Sequence, residues 1–188
     1  MNEDTRPAEP FRLLDRTAAF RGRAIDVYID RLERSDGTVL RREIVVHPGA
    51  VAIVAATRSD EILLVRQERP ATSGLLWEIP AGTLEPDETP LACAKRELIE
   101  ETGYEAGEWE ELLGFYTTPG FSNERITLFA ARRLRPVGRP DPDEIALCRS
   151  FTLRDLEEMI RSGTLEDAKS ILALLLYQRE HRMDATPR

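Results

Sequence analysis

Apolar and polar positions alternate over residues 24–47, which is the pattern of half-buried β-strands. A turn signal, "SDG" at 35–37, divides this stretch into two runs. Two alternating runs joined by such a turn predict an antiparallel β-hairpin. Residues 1–10 precede it with two prolines and mostly polar side chains, so we expect a loose arm there.

Two further runs, "AVAIVAA" and "EILLVRQ", are almost continuously apolar and rich in branched side chains. Such strands are usually buried on both faces of a layered structure. "EELLGFYTTPG" and "RITLFAARRL" have the pattern of two more strands flanking a loop, and "GRPDPDE" is a loop rich in proline and aspartate.

A helix is predicted over residues 90–102. Thr89 is a suitable N-cap, Pro90 occupies the first helical position and Gly103 stands just past the end. An apolar stripe follows the helical period at Leu91, Ala94 and Leu98.

Two helices close the chain, "TLRDLEEMIRSG" and "LEDAKSILALLLYQRE". In the second, we expect the packing stripe to consist of Ala168, Ile171, Leu172 and Leu175. The order of strands and helices predicts an α/β or α+β sandwich with a mixed sheet between helices.

Composition limits the functions open to this fold. The chain has 188 residues, 41% of them hydrophobic and 32% charged, which suits one globular domain. The net charge of −8 argues against a protein that grips a nucleic-acid backbone. No stretch approaches the roughly 18 consecutive apolar residues of a membrane span. The start of the chain is polar and acidic, and only two cysteines occur, so we expect a cytoplasmic protein.

Three carboxylates crowd one side of the first helix. At the helical repeat, Glu97, Glu100 and Glu101 fall within an arc of roughly 100°. One explanation is an ordinary solvated helix face. The other is a site for a hard cation such as Mg²⁺, which prefers oxygen ligands and bridges to phosphates. The spacing alone leaves both open.

The segment 82–104 decides between them, because it resembles the Nudix box, GX5EX7REUXEEXGU with U an apolar residue. Its specified glycine and polar positions are all present: Gly82, Glu88, Arg96, Glu97, Glu100, Glu101 and Gly103. Tyr104 is a mild departure, since an aliphatic residue is more usual there. The resemblance implies a Nudix hydrolase with an α/β/α sandwich, preceded here by the β-hairpin.

The same resemblance implies a metal site. Glu97 and Glu101 would be the principal ligands, Glu100 a supporting ligand that also serves catalysis, and the backbone carbonyl of Ala81 a further donor. The implied cofactor is Mg²⁺, with Mn²⁺ as a substitute, at two or three ions per site. Glu88 and Arg96 would be structural, with the arginine orienting carboxylates.

Beyond the box, most of the chain from about 20 to 178 resembles the ADP-ribose pyrophosphatase branch. The resemblance is carried by "RQERPATSGLLWEIPAG", "TTPGFSNERITLFAA" and "EDAKSILALLLY". By analogy, Arg69 would contact substrate and Glu78 would shape the site. Tyr28 and Phe121 are candidates for stacking on the base, or are ordinary packing residues. Glu124 is a weaker candidate.

The branch places a catalytic acid on the loop after the box, here "RPDPDEIAL". Glu144 is the first candidate for the general base, followed by Asp143 and Asp141. Relatives often carry a second glutamate three residues later, where this chain has Leu147. A solvated acidic loop without a catalytic role remains the alternative.

The implied reaction is hydrolysis of ADP-ribose to AMP and ribose 5-phosphate. A broader nucleoside-diphosphate-sugar pyrophosphatase is the alternative, and a non-catalytic ADP-ribose-binding module is a third. The branch implies a homodimer built with residues 1–47, an arm and hairpin, followed by a Nudix domain over 48–182 and a tail over 183–188. The expected partner is a small nucleoside diphosphate derivative, with neither nucleic acid nor membrane.

Overall fold

The computed structural model describes residues 11–58, 61–72, 74–142 and 145–184. Its elements in chain order are β1 (Phe11–Arg21), β2 (Asp26–Arg34), β3 (Val39–Val46), β4 (Ala50–Arg58), β5 (Glu61–Arg69), β6 (Gly74–Glu78), β7 (Ala81–Thr83), α1 (Pro90–Thr102), β8 (Tyr104–Tyr116), β9 (Arg125–Pro136), β10 (Ile145–Thr152), α2 (Leu153–Ser162) and α3 (Ala168–Asp184). They divide into two compact units, 1–49 with 116–124 and 50–115 with 125–188. None of the helices within the described ranges is long and apolar enough to span a membrane.

The first unit contains a three-stranded antiparallel sheet in the order β1-β2-β3. β2 and β3 form the predicted hairpin. Its turn is closed by the amide of Arg34, which donates to the carbonyl of Thr38 at 2.9 Å. Gly37 in this turn has a φ of 82°, a left-handed conformation that glycine adopts at little cost.

Strand β1 was not predicted from the sequence. Its pairing with β2 is interrupted twice, between Leu13 and Asp15 and again between Ala18 and Phe20. Each irregularity shifts the alternation of side chains between the two faces, so no period of two persists along the strand. All eleven residues of β1 are exposed in this chain.

The second unit contains a seven-stranded sheet. Its main order is β10-β5-β4-β9-β8, with β6 paired to β5 and β7 paired to β4. β4 and β9 run parallel, whereas β4 is antiparallel to β5 and β7, so the sheet is mixed as predicted. β4 and β5 are its most buried strands, in agreement with their nearly continuous apolar sequences.

Helices cover both faces of this sheet. On one face, α1 packs its residues Cys93, Ala94 and Leu98 against alternate residues of β4 and β9. On the other, α2 and α3 contribute a larger core that includes Leu156 and Tyr177. The predicted α/β/α sandwich is therefore confirmed, and among the described helices α1 is the one that packs on its face of the sheet.

The ends of α1 follow the sequence prediction closely. The side chain of Thr89 accepts a hydrogen bond from the amide of Ala92, and Pro90 is the first helical residue. Gly103 ends the helix in the left-handed conformation, with φ of 73°. The predicted stripe is correct at Ala94 and Leu98 but wrong at Leu91, which is exposed at the first turn.

The stripe predicted for α3 was wrong at three of its four positions. Ala168, Leu172 and Leu175 are exposed, whereas Ile171 is half-buried and packs against the core. The buried residues are Ser170, Ala173, Leu174, Tyr177 and Gln178. The apolar run at 171–177 fits more than one helical face, so periodicity could not choose between them. A polar contact fixes the orientation of the helix. The hydroxyl of Ser170 accepts a hydrogen bond from the amide of Ile79 at 2.9 Å, so the face of α3 that carries Ser170 points inward.

Candidate active site

Two of the three box carboxylates on α1 are buried and the third is exposed. Glu97 and Glu101 keep only 8% and 3% of their surface, whereas the side chain of Glu100 is 48% exposed. Positions i and i+4 lie one above the other on a helix. The structure therefore places Glu97 and Glu101 together on the inward side of α1 and leaves Glu100 at its edge.

Arg96 binds three carboxylates of the box and fixes their positions. Its Nη1 donates to Glu97 Oε1 at 2.6 Å and to Glu100 Oε2 at 3.0 Å. Its Nε and Nη2 donate to the two oxygens of Glu88 at 3.0 and 2.9 Å. These hydrogen bonds lower the pKa of Glu88 to about 2 and raise the pKa of Arg96. One guanidinium thus connects three acids of the box.

Glu101 occupies the most buried position of the site. It accepts hydrogen bonds from the amide of Ala81 at 2.9 Å and from Nε2 of Gln67. Burial raises the pKa of Glu101 to about 8, with the negative charge of Glu97 adding to this shift and the two hydrogen bonds opposing it. Gln67 was not among the predicted site residues; its place two residues before Arg69, near the end of β5, was the available signal.

The glycine that opens the box lies directly against a carboxylate. A Cβ built on Gly82 would lie 1.9 Å from both Cδ and Oε1 of Glu97. Any side chain at this position would therefore occupy the space that the carboxylate fills. In strand β7, Gly82 itself pairs with Val51 of β4, and its neighbours Ala81 and Thr83 pair with Ala52 and Ala50.

The carboxylate oxygens of the box are the type of ligand that a hard divalent cation prefers. Across the residues that the structure describes, no three His, Cys, Asp or Glu side chains already form a metal-binding group. Glu97 and Glu100 accept hydrogen bonds from Arg96, and Glu101 accepts one from Gln67. However, Glu97 and Glu101 are two buried oxygen donors with like charge, and a cation between them would offset both the burial and the repulsion.

A second charged cluster stands beside the carboxylates. Nε and Nη2 of Arg69 donate to the two oxygens of Glu78 at 2.7 and 2.8 Å, a contact that the sequence did not predict. Lys169, at the start of α3, contacts the same carboxylate. The charge of Glu101 contributes to the raised pKa of Arg69, which links this cluster to the box.

The environment of Glu78 keeps it ionised. Burial would raise its pKa, but the hydrogen bonds and positive charges of Arg69 and Lys169 outweigh burial, and the pKa of Glu78 is lowered. The participation of Lys169 was not predicted. Its sequence signal was the stretch "EDAKS", which had been read only as part of a resemblance.

The loop after β9 is fastened to the end of α1. The amide of Val137 donates to the carbonyl of Gly103 at 2.8 Å, and the amide of Asp141 donates to the carbonyl of Glu100 at 2.9 Å. The amide of Ile145 in turn donates to the carbonyl of Asp141 at 2.9 Å. The third candidate for the general base, Asp141, thus lies next to the box helix. The first two candidates, Asp143 and Glu144, lie outside the described residues.

The remaining candidates, Tyr28, Phe121 and Glu124, lie in the first unit. The hydroxyl of Tyr28 donates to Asp26 at 3.1 Å, and the guanidinium of Arg16 lies 5.1 Å from the centre of its ring. The side chain of Phe121 is exposed. Glu124 accepts a hydrogen bond from the hydroxyl of Thr117 at 2.6 Å.

The chain is similar to known proteins over most of its length. A family model for the NUDIX domain matches residues 46–174. An ADP-ribose pyrophosphatase of Bacillus subtilis is 38% identical over 169 residues, which cover 88% of this chain and 91% of that protein. A GDP-mannose pyrophosphatase of Escherichia coli is 36% identical over 167 residues, covering 81% of this chain and 86% of the relative.

Two further similarities widen this comparison. A protein of Bacillus methanolicus named methanol dehydrogenase activator is 38% identical over 167 residues, covering 87% of this chain and 90% of that protein. A solved structure described as an ADP compounds hydrolase shares the fold, with a TM-score of 0.83 at 22% identity over 96% of this chain and 99% of that one. With the complete box on α1 and a family model covering residues 46–174, the chain belongs to the Nudix hydrolase family.

Proposed function

We propose that this chain hydrolyses the pyrophosphate bond of ADP-ribose, giving AMP and ribose 5-phosphate. One observation carries the proposal: the buried pair Glu97 and Glu101 lies beside a half-buried arginine, Arg69, whose pKa is raised first by its hydrogen bonds to Glu78 and also by the charge of Glu101. A diphosphate needs cations on its oxygens and a positive side chain to hold it, and this site offers places for both. The 38% identity to an ADP-ribose pyrophosphatase over most of both chains supports that substrate.

The proposed cofactor is Mg²⁺, with Mn²⁺ as a substitute, at two or three ions per site. Glu97 and Glu101 would be the principal ligands, with Glu100 and the carbonyl of Ala81 in support. When bound, Mg²⁺ offsets the charge of the diphosphate and makes a water molecule a better nucleophile. Residues of the chain orient the proposed ligands: Gln67 and the amide of Ala81 donate hydrogen bonds that fix the carboxylate of Glu101.

Arg69 is the proposed phosphate-binding residue. Its hydrogen bonds to Glu78 use Nε and Nη2, and Nη1 has no hydrogen-bond partner among the residues that the structure describes, so it can bind a phosphate oxygen. Because Glu78 holds the guanidinium by two parallel bonds, little side-chain freedom is lost when substrate binds.

Glu144 is the proposed general base, with Asp143 and then Asp141 as alternatives. The base would take a proton from the attacking water as its oxygen bonds to phosphorus and the bridging P–O bond breaks. The leaving phosphate departs with the bonding electrons. The tether from Asp141 to the carbonyl of Glu100 supports this assignment, because it starts the acidic loop on the metal-binding helix.

The proposed assembly is a homodimer formed through the first unit, in a cytoplasmic protein that acts on a small nucleoside diphosphate derivative. Several large apolar side chains of its sheet are exposed in the single chain, namely Phe11, Leu13, Leu14, Phe20 and Val39. A monomer rarely leaves so many together. In a dimer, Tyr28 and Phe121 could contact the base of the substrate.

A broader nucleoside-diphosphate-sugar pyrophosphatase is the second candidate, favoured by the 36% identity to a GDP-mannose pyrophosphatase. Hydrolysis of ADP-ribose should be compared with that of ADP-glucose, GDP-mannose and NADH, with Mg²⁺ and then with EDTA. Preference for another sugar would refute the specific proposal, and no turnover of any substrate with Mg²⁺ would refute both enzyme proposals in favour of a non-catalytic ADP-ribose-binding module.

The base assignment needs its own variants. Glu144→Gln should lower kcat strongly with little change in Mg²⁺ binding, and Glu85→Gln, an exposed acid of the box loop, is the matched control. An unaffected rate in Glu144→Gln would transfer the role to Asp143, which Asp143→Asn then tests.

A further inference from the structure

The charged cluster around Arg69 contains a lysine that no part of the proposed mechanism uses. The side chain of Lys169 is 14% exposed, and its Nζ contacts Glu78 and also lies 3.0 Å from Oδ2 of Asp167. Burying an ammonium group is costly unless its partners compensate for lost hydration. Both of its partners are carboxylates, so the lysine is held between them.

The beginning of α3 fixes where this lysine stands. Asp167 caps the helix, with Oδ2 accepting the amide of Ser170 at 3.0 Å. The hydroxyl of Ser170 accepts the amide of Ile79, the residue that follows Glu78. The first turn of α3 is therefore locked to the end of β6, and Lys169 lies between two fixed points.

The lysine changes what Glu78 does to Arg69. Glu78 is almost fully buried and carries one negative charge, which it shares between two cations. The side chain of Arg69 is 41% exposed. If Lys169 were absent, Glu78 would compensate the charge of Arg69 alone and could rotate with it. With Lys169 present, a second cation holds the carboxylate of Glu78 in place. Glu78 then neutralises the charge of Arg69 less completely, and the arginine can still attract a phosphate.

We propose that Lys169 is a positioning residue: it holds Glu78 so that Glu78 presents Nη1 of Arg69 to a phosphate of the substrate. Lys169 itself does not touch the substrate. This inference rests on the proposed function, because it takes a nucleoside diphosphate as the ligand of Arg69. It adds a residue from the last helix, 91 positions from Glu78 in sequence, to the substrate-binding side of the site.

The test compares Lys169→Met with Lys169→Arg and with Lys95→Met. Lys169→Met should raise KM for ADP-ribose about tenfold, with a smaller change in kcat, because ground-state phosphate binding is weakened. Lys169→Arg should restore most of the affinity, since it keeps the charge. Lys95→Met is the matched control: it removes an exposed lysine from α1 and should leave KM unchanged.

A double-mutant cycle with Arg69→Ala identifies the route of the effect. If Lys169 acts through the arginine, Lys169→Met should add little to the KM of Arg69→Ala. Full additivity in the double variant would overturn the proposal. So would a wild-type KM in Lys169→Met, or an equal rise of KM in Lys95→Met.

Binding of ADP-ribose measured by calorimetry separates this inference from the proposed function. Wild-type chain that binds ADP-ribose without hydrolysing it would refute the proposed reaction, and the dissociation constants of the same variants would still decide on Lys169. A wild-type chain that neither binds nor hydrolyses any nucleoside diphosphate derivative would refute both.

Discussion

Replacing Gly82 by alanine is a direct test of the role of Glu97. The added Cβ would lie 1.9 Å from Cδ of Glu97, whereas carbon atoms in contact lie about 3.5 Å apart. The carboxylate must therefore move by about 1.6 Å, or β7 must move away from it. Gly82 does not have a positive φ, so alanine causes no backbone strain of its own.

The displacement falls on a group with little freedom. Glu97 is held by Nη1 of Arg96 at 2.6 Å and is nearly buried, so its carboxylate has few other positions. Misplacing a catalytic group by about 1 Å can cost roughly 100-fold in rate. We therefore expect Gly82→Ala to lower kcat by about 100-fold or more, together with a loss of Mg²⁺ affinity.

The measurement is calorimetric titration with Mg²⁺ in the absence of substrate, beside turnover of ADP-ribose and thermal unfolding without metal. Gly138→Ala is the matched control, because a Cβ there meets no atom within 4 Å and its φ is not positive. A Gly82→Ala variant with the wild-type Mg²⁺ affinity and rate would show that Glu97 is not a ligand.

Three further predictions concern other parts of the chain. Glu101→Gln should abolish Mg²⁺-dependent turnover while leaving the folded structure intact by circular dichroism; near-normal turnover would refute its assignment as a ligand. Cys93 and Cys148 should react slowly with a thiol reagent at pH 8 and faster as pH rises, because burial raises their pKa values to about 12 and about 11 and only the thiolate reacts. Rapid labelling of the native protein at pH 8 would contradict this. Phe20→Ser should shift a homodimer toward monomer in sedimentation velocity, since burying a phenylalanine contributes about 1.5–3 kcal/mol per copy; an unchanged dimer would place the interface elsewhere.

Local signals account for the parts of the fold that the sequence predicted. Thr89, Pro90 and Gly103 define α1 because capping depends on residues adjacent in the chain. The hairpin follows from the turn at Gly37 for the same reason. β1 gave no such signal, because its two irregularities against β2 interrupt the alternation on which strand prediction depends.

The polar contacts within the site could not be predicted from local signals, because they join residues that are far apart in the sequence. Gln67 reaches Glu101 across 34 positions of sequence, and Lys169 reaches Glu78 across 91. No regular sequence spacing predicts either pair, because each contact depends on how β5, β6 and α3 pack against their neighbours. The box predicted the acids of α1 and also Arg96, which holds three acids of the box, whereas Gln67 and Lys169 were found only in the three-dimensional structure.

The tethers between α1 and the segment after β9 restrict how this part of the chain can change. Surface loops generally accept insertions at small entropic cost. Here Val137 and Gly138 are both hydrogen-bonded to Gly103, and Asp141 to Glu100, so two residues connect the anchored points. An inserted residue between them would force one of these hydrogen bonds to break. We therefore expect this segment to vary in composition before it varies in length, and natural length variation to fall beyond Asp141.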